Sequence, residues 1–397
     1  MISVEKALRI VARETADLRP ERIQLADAVG RILADDIIAD SDMPPFDRSQ
    51  MDGYAVRAAD TAKAPVNLEL IGESAAGRGW HKTLKPGQAV RIMTGAPLPT
   101  GADAVQKIEL TSEDADTVTI HQPTSTGRYI VHKGKEIRKA GVVLEKGTRI
   151  TANNITVPAA FGYAKIRVAK QPRVAIISTG TEIVDIAKRP KRDQIRNSNS
   201  LMLKSLSERA GAMATIYPIV GDSISDLRSQ ISEAARRVDI LITTGGVSVG
   251  KYDLTKLALR ELGAEIFFER LRLKPGKPTV FARLKKTLVF GLPGNPVSAA
   301  VTYYLFVCSA IMRMQNAREP DLEKGTAVAS KLVKAPKERD AYLPASLSTD
   351  VSGTLIAEPL DWHGSSDFIG FARTDALLAI KRGTTFEQGS PVPLLFL

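Results

Sequence analysis

Residues 238–242, Val-Asp-Ile-Leu-Ile, run directly into Thr243-Thr-Gly-Gly-Val-Ser-Val-Gly-Lys-Tyr-Asp253, and no other stretch restricts the fold so sharply. The short apolar run has the composition of a strand buried on both faces, as parallel sheets contain. Beyond the glycine-rich segment, Leu254, Leu257, Ala258 and Leu262 fall on one face of a helix closed by Gly263. The segment is therefore a strand-to-helix loop at the carboxyl end of a strand, where open α/β sheets bind ligands. Gly245, Gly246 and Gly250 admit positive φ and close approach of the backbone to a ligand. Thr243, Thr244 and Ser248 add hydroxyls, and Asp253 can cap the next helix or face the ligand. Such a loop suits a phosphate-bearing or otherwise anionic small molecule. It lacks both the Gly-Lys-Ser/Thr ending of a Walker loop and the GxGxxG of a dinucleotide loop. On its own a glycine pair of this kind also serves as a plain tight turn, so its surroundings decide.

From Pro172 onward those surroundings alternate strand and helix. Residues 173–177 (Arg-Val-Ala-Ile-Ile) read as a buried strand ending in Ser178-Thr-Gly-Thr-Glu182. The polar segment 196–200 precedes a helix with Met202, Leu206 and Ala210 on one face, stopped by Gly211. Residues 214–220 read as a second strand, and Ser223 with Asp226 resembles a capping box opening the next helix. After the 243–253 loop and its helix, residues 265–271, 279–281 and 287–290 are strand candidates. The last ends in Gly291-Leu-Pro-Gly-Asn-Pro-Val-Ser298, with Pro296 at a first helical position and Ala300, Val301, Tyr304 and Cys308 as the following stripe. This pattern predicts a doubly wound α/β domain over residues 172–317. Its loops 178–182, 243–253 and 291–298 should converge at one sheet edge. Lys274 and Lys277, on the turn Lys-Pro-Gly-Lys-Pro, are suited to anionic oxygens. Glu182, Asp222 and Asp253, at or just beyond strand ends, are suited to Mg²⁺ bridging phosphates or to polar heterocycle edges.

The flanks differ. Residues 3–16 read as an amphipathic helix with Val4, Ala7, Leu8 and Val11 on one stripe and Ser3 as its N-cap. Residues 46–133 carry short alternating runs broken by glycine and proline, a small inserted β-domain. Three acids, Asp42, Asp47 and Asp52, lie near one turn in the loop that enters it, and by local chemistry read as turn formers. Residues 1–45 with 134–171, including a strand-like 148–151, form a discontinuous N-terminal α+β domain. Residues 318–397 form a C-terminal β-domain, barrel-like. The fold class is thus multidomain, α/β plus β.

Composition excludes several functions. Cys308 is the single cysteine, which leaves no disulfide framework, fits a reducing cytosol, and by its apolar setting reads as core packing. Four histidines stand at positions 81, 121, 132 and 363, without zinc-ligand spacing. The N-terminus has no signal-peptide pattern, and no apolar stretch predicts a membrane span. A net charge of +11 is spread along the chain without a basic helix or aromatic platform, which argues against nucleic-acid binding and for anionic ligands.

The order of the motifs carries a resemblance. Pro45-Phe-Asp47-x-Ser-x-Met-Asp52-Gly-Tyr-Ala, Arg91-Ile-Met-Thr94-Gly-Ala, Ser178-Thr-Gly-x-Glu182, Thr244-Gly-Gly-Val-Ser-Val-Gly250 with Asp253, Lys274-Pro-Gly-Lys-Pro and Gly291-Leu-Pro-Gly-Asn-Pro-Val-Ser298 together resemble the molybdopterin molybdenumtransferase family, that of MoeA and the gephyrin E-domain. The resemblance spans essentially the whole chain. It implies an elongated four-domain subunit in a homodimer, whose cleft is shared between subunits. It implies the reaction of adenylylated molybdopterin with molybdate to give molybdenum cofactor and AMP, with Mg²⁺ required, in the cytoplasm. A molybdopterin adenylyltransferase and molybdoenzyme maturation factors are the implied partners.

By motif match, Asp52 and Thr94 would enter the cleft from the partner subunit. Glu182, Asp222 and Asp253 would handle Mg²⁺ and pterin or nucleotide contacts, beside Thr179, Gly180, Gly245, Gly246 and Ser248. Lys274, Lys277 and Ser298, with Pro293, Asn295 and Pro296, would hold phosphate or molybdate oxygens. Arg339 and Ser365 or Ser366 would complete an oxyanion pocket. The chain departs from the family pattern at Arg270, where a lysine is common, at Ser223, where a second acid is common, and at Pro344, where an arginine is usual. Two other readings stay open at this point: another nucleotide-handling activity such as adenylyl transfer, and a scaffold that binds peptides.

Overall fold

The computed structural model describes residues 1–246, 254–361 and 364–397. Contacts gather the chain into two units, one of Met1–Asp35, Lys146–Ala152 and Lys165–Leu397, the other of Asp36–Glu145 and Asn153–Ala164.

The first unit is organised by a six-stranded sheet in the order Met213–Ile216, Arg173–Ser178, Ile240–Thr244, Thr287–Leu292, Val280–Leu284, Glu265–Phe268. The first four strands are parallel and the last two antiparallel. Antiparallel pairing follows where residues 280–284 and 287–292 are joined by only Lys285 and Lys286, too short for a crossover. Along each strand, successive side chains enter opposite cores. Val174, Ile176, Ile240, Ile242, Leu288 and Phe290 pack on one face with Leu203, Val297 and Val301. Ala175, Ile177, Leu241 and Val289 pack on the other with Leu227, Ile231, Ala258 and Leu259. Apolar runs without alternation are what a sheet covered on both faces requires, so the doubly wound reading holds.

Several local expectations shift. The strand expected from 238 begins at Ile240, and the one expected over 265–271 ends at Phe268. The second strand covers only Met213–Ile216, with Val220 rejoining the sheet edge through a bridge to Thr179. Residues 148–151 form no strand; Arg149 makes one isolated bridge to Ile32. In the helix Leu254–Glu261 the buried positions are Thr255, Ala258 and Leu259, and Leu257 is 48% exposed, so the buried stripe is rotated from the expected one. The helix Ser198–Arg209 begins within the segment read as polar linker and buries Asn199, Ser200, Leu203 and Ser207. Met202 and Leu206 are only partly buried. Asn199 and Ser200 line that face because they bond to the strand ends, while Ser207 donates back to the Leu203 carbonyl of its own helix.

Ser3 caps the helix Val4–Glu14 as expected, accepting from the Lys6 N–H at 3.2 Å, and Val4, Ala7 and Val11 join the first core. The helical run Pro296–Met314 does reach the length and hydropathy of a membrane span, against expectation, but 78% of its apolar window is buried within the chain. Its composition is therefore that of a core helix. Cys308 lies on it, and burial pushes its thiol up to about 11. At neutral pH a disulfide reagent such as DTNB is expected to label the folded chain roughly 100-fold more slowly than an unperturbed thiol. Labelling should accelerate as pH rises toward that value or on unfolding. Rapid labelling of native protein at pH 7 would contradict the packing role.

Following this helix, five strands close a barrel. Asp340–Thr349 pairs with both Leu355–Pro359 and Ala376–Ile380, and the ring returns through Pro391–Phe396 and Lys324–Ala329. So narrow a barrel leaves little interior, and Ala327, Ala329, Ala341, Ala345, Ala357 and Ala376 fill it. The short strand Leu273–Lys274 adds to it in parallel, Leu273 opposite Asp340 and Lys274 opposite Ala341.

In the second unit, a mixed six-stranded sheet runs Ala104–Lys107, Gly53–Val56, Gln88–Ile92, Val66–Ser74, Thr117–Ile120, Thr111–Asp114. Tyr54, Val56, Leu68 and Val118 fill a core on one face, and Ala55, Val90, Ile92 and Val105 on the other.

Candidate active site at the strand ends

The carboxyl ends of the parallel strands are tied into a shelf. The Thr179 N–H donates to the Thr244 carbonyl at 3.0 Å, Gly180 N–H to Val220 at 3.0 Å, and Gly245 N–H to Leu292 at 3.2 Å. The loops at 178–182 and 291–298 thus meet the start of the 243–253 loop, as expected. Glycine is required by close approach. A Cβ on Gly245, at φ +92, would lie 2.4 Å from the Thr179 carbonyl oxygen. One on Gly246, at φ +62, would lie 2.9 Å from Thr179 Oγ1 and 3.1 Å from Thr255 Oγ1. Both hydroxyls are buried and have no hydrogen-bond partner among the described residues.

Behind the shelf, Asn199 Nδ2 donates to Thr244 Oγ1 at 3.0 Å and to the Gly294 carbonyl at 2.7 Å, pinning two strand-end loops to one helix. Ser178 Oγ, Asn197 and Ser200 close a second buried network. The sequence reading missed Asn197, Asn199 and Ser200. Their signal was the run Arg196-Asn-Ser-Asn-Ser200, in which Asn197 is a ready N-cap, accepting from the Ser200 N–H at 3.2 Å, and the further amide and hydroxyls can serve neighbouring loops.

In front of the shelf lie two hollows. One, of about 480 Å³, is lined by Gly180, Thr181, Asn197, Tyr217 and Gly221 among others. At its rim Thr181 Oγ1 donates to Asp222 Oδ2 at 2.9 Å, and the Glu182 carboxylate folds over Gly180, where a Cβ would meet Oε2 at 2.4 Å. Ser223, the departure beside Asp222, caps the helix Ile224–Ala235 by accepting from Asp226 N–H at 3.4 Å. The other hollow, of about 520 Å³, brings together Lys274, Lys277, Pro293, Asn295, Ser298, Arg339 and Ser365. Pairing of Leu273–Lys274 with the Asp340 strand is what sets the lysine turn beside Arg339. Asn295 Nδ2 donates to Ser365 Oγ at 2.7 Å, and Val297 N–H donates to the Ser365 carbonyl at 3.1 Å. Lys274, Lys277 and Arg339 make no ion pair with any described residue. Cations left unpaired around a hollow with hydroxyl and amide donors suit a tetrahedral oxyanion.

Other expected residues stand apart. Ser366 and Arg270 are exposed and outside this lining. Pro296 begins the helix after Asn295, with Pro at its first turn. Ser248 and Asp253 lie outside the described residues. Among the described residues no group of three His, Cys, Asp or Glu side chains is placed to hold a metal.

In the second unit Asp52 and Thr94 meet. The Thr94 N–H donates to Asp52 Oδ1 at 2.6 Å and holds that carboxyl below the usual range. Asp47 and Asp42 accept from the Lys133 and Lys139 N–H groups at 2.7 and 2.8 Å, so they tie their loop to a segment far along the chain and are not the local turn formers that their chemistry suggested.

A sheet wrapped on both faces, with glycine-bound strand ends and a cationic hollow, defines an α/β protein that handles small anions. Comparison with known proteins narrows this. Family models match in chain order: the MoeA N-terminal region (domain I and II) over residues 2–162, a probable molybdopterin binding domain over 175–313, and the MoeA C-terminal region (domain IV) over 326–397. The molybdopterin molybdenumtransferase of Bacillus subtilis is 37% identical over 405 residues, covering 100% of this chain and 94% of that protein. That of Staphylococcus epidermidis is 33% identical, covering 99% and 95%. The crystal structure of the molybdopterin biosynthesis MoeA protein from Pyrococcus horikoshii superposes with a TM-score of 0.87 at 28% identity, covering 100% of both chains. The chain belongs to the molybdopterin molybdenumtransferase (MoeA) family, transferases of molybdenum cofactor biosynthesis.

Proposed function

We propose that this chain inserts molybdenum from molybdate into adenylylated molybdopterin and releases AMP, in the cytoplasm, with Mg²⁺ and as a homodimer. The observation that carries the reading is the 520 Å³ hollow with Lys274, Lys277 and Arg339 unpaired around Ser298, Asn295 and Ser365. Molybdate is a tetrahedral oxyanion, and such a basin binds it through positive charge and short polar donors. The glycines of the shelf let the pyrophosphate link approach the backbone closely, the Thr179, Gly180 and Gly245 N–H groups themselves being bonded within the shelf.

Glu182 and Asp222 are exposed and form no ion pair with a described residue. Two such carboxylates fit Mg²⁺, which takes one or two carboxylates and keeps waters and substrate phosphates as its other ligands. When bound, the ion would neutralise charge on the phosphate oxygens of the leaving AMP. The chain's own contribution is positional and electrostatic. The lysines and Arg339 draw molybdate to the hollow, and Asn295 orients Ser365 at its edge. Asp52, kept ionised by Thr94, serves the cleft from the second unit of the partner subunit. A molybdopterin adenylyltransferase that supplies the substrate and maturation factors that take the product are the proposed partners.

The test mixes purified protein with adenylylated molybdopterin, Mg²⁺ and molybdate, and measures AMP. Molybdate-dependent release is expected, falling by about 100-fold or more in Asp52→Ala and in Asp222→Ala. Release without molybdate, or unchanged release in both variants, would defeat the reading.

A further inference from the structure

Tyr129 is held at φ +57, alongside Ala115, Ala140, Lys285 and Asn316 the only non-glycine residues in the left-handed region among the described residues, and the only aromatic one. A bulky side chain avoids that region unless its surroundings impose it, and such outliers gather at functional sites. The surroundings here are specific. Tyr129 carbonyl accepts from Gln50 N–H at 2.9 Å, Ile130 pairs with Ser49, and Lys107 pairs with Gly53. Ile108 N–H donates to the Asp52 carbonyl at 3.1 Å. The backbone therefore fixes Tyr129 and Lys107 at the same edge of the second unit as Asp52 and Thr94.

The strain presents the phenol between two cations. Arg128 Nη2 donates to Tyr129 Oη at 3.2 Å, and Lys107 Nζ lies 4.9 Å from the ring centroid. Neither Lys107 nor Arg128 pairs with a carboxylate among the described residues. The phenol thus accepts from a guanidinium while its own O–H finds no acceptor among the described residues. A donor O–H flanked by two uncompensated positive charges is complementary to an anionic oxygen.

We infer that Tyr129, Lys107 and Arg128 form an oxyanion-binding site on the second unit, at the edge that carries Asp52 and Thr94. The inference rests on the proposed reading that this edge serves the reaction. The ligand is a tetrahedral oxyanion, either molybdate or a phosphate of the substrate.

The test uses the full chain in a Lys274→Gln, Lys277→Gln, Arg339→Gln background, which removes all three cations of the first unit's basin, with inorganic phosphate and molybdate titrated separately by calorimetry. A site should remain, for one probe or for both, and which probe binds tells the two sources apart. Lys107→Gln should weaken it by about tenfold and Tyr129→Phe, which keeps the ring and loses the O–H, by about threefold to tenfold. Tyr129→Asn, suited to positive φ, should raise the melting temperature while weakening the site, a pairing that a purely structural tyrosine would not give. With the three cations restored, Tyr129→Phe should raise KM and leave kcat unchanged. An absent site in the background chain, affinities unmoved by these substitutions, or a lower melting temperature for Tyr129→Asn would overturn the inference. Absence of AMP release from the wild-type chain would defeat the proposed reaction, and the titration would still decide this site.

Discussion

Gly245→Ala is expected to destabilise the first unit by about 3 kcal/mol, at the upper end of ordinary single substitutions, and to cut turnover sharply. Two costs combine. At φ +92 any Cβ is strained, and here it would also sit 2.4 Å from the Thr179 carbonyl oxygen. That oxygen is backbone, tied through the Thr179 N–H to Thr244, so relief requires two strand ends to part. The control is Gly263→Ala, at φ +71 with nothing within 4 Å of the added methyl, which bears the conformational cost alone, about 1 kcal/mol. Thermal unfolding should show a drop for Gly245→Ala of about 6–12 °C, some three times the control's. Activity should fall by about 100-fold even below the melting transition, because shifting the shelf by an ångström misplaces whatever it holds. Equal effects of the two substitutions would show that the close approach at Thr179 does not constrain the shelf.

The glycines of this loop were legible because chain geometry leaves glycine few other reasons to cluster after a buried strand. The sheet was legible for a similar reason. Residues 174–177 and 240–242 are apolar without alternation, which few structures but a two-faced sheet can use. What sequence could not give was burial of polar groups. Asn199 reads as a loop residue by composition, yet it is buried and bonded to Thr244 and Gly294, elements far away in sequence. The barrel was indistinct for the opposite reason. Alanine in a narrow interior produces no strong hydropathy alternation, so residues 318–397 read as a barrel-like β-domain without the bounds or pairing of its strands. Leu257 was assigned to the wrong stripe because a helix of so few turns permits two registers, and Thr255 and Leu259 took the buried one. At the site itself, the lysine turn was readable as anion-seeking. Its meeting with Arg339 was not, since it depends on the parallel pairing of Lys274 with Ala341.

That pairing motivates the second large effect, that of the double substitution Lys274→Ala, Lys277→Ala. A hydrogen bond to a charged group is worth about 1.5–3 kcal/mol, so each lysine lost should lower kcat/KM by roughly 10-fold to 150-fold, and the pair by about 1,000-fold. The losses need not add, because Lys274 and Lys277 line one hollow with Arg339 and act on one ligand. Stability should move the other way. Lys274 is exposed and Lys277 half-buried, and neither has an ionic partner among the described residues. Three like charges around one hollow repel each other when no anion is present, and removing two relieves that repulsion. The double variant should therefore unfold at the same temperature as wild type or slightly above it, while losing nearly all activity. Salt gives an independent check. Raising ionic strength screens the basin and should raise the wild-type KM for molybdate, with a much weaker dependence in the double variant. A double variant that loses activity only in step with its stability, and whose KM keeps the wild-type dependence on salt, would show that these lysines support the fold and that the oxyanion is held elsewhere.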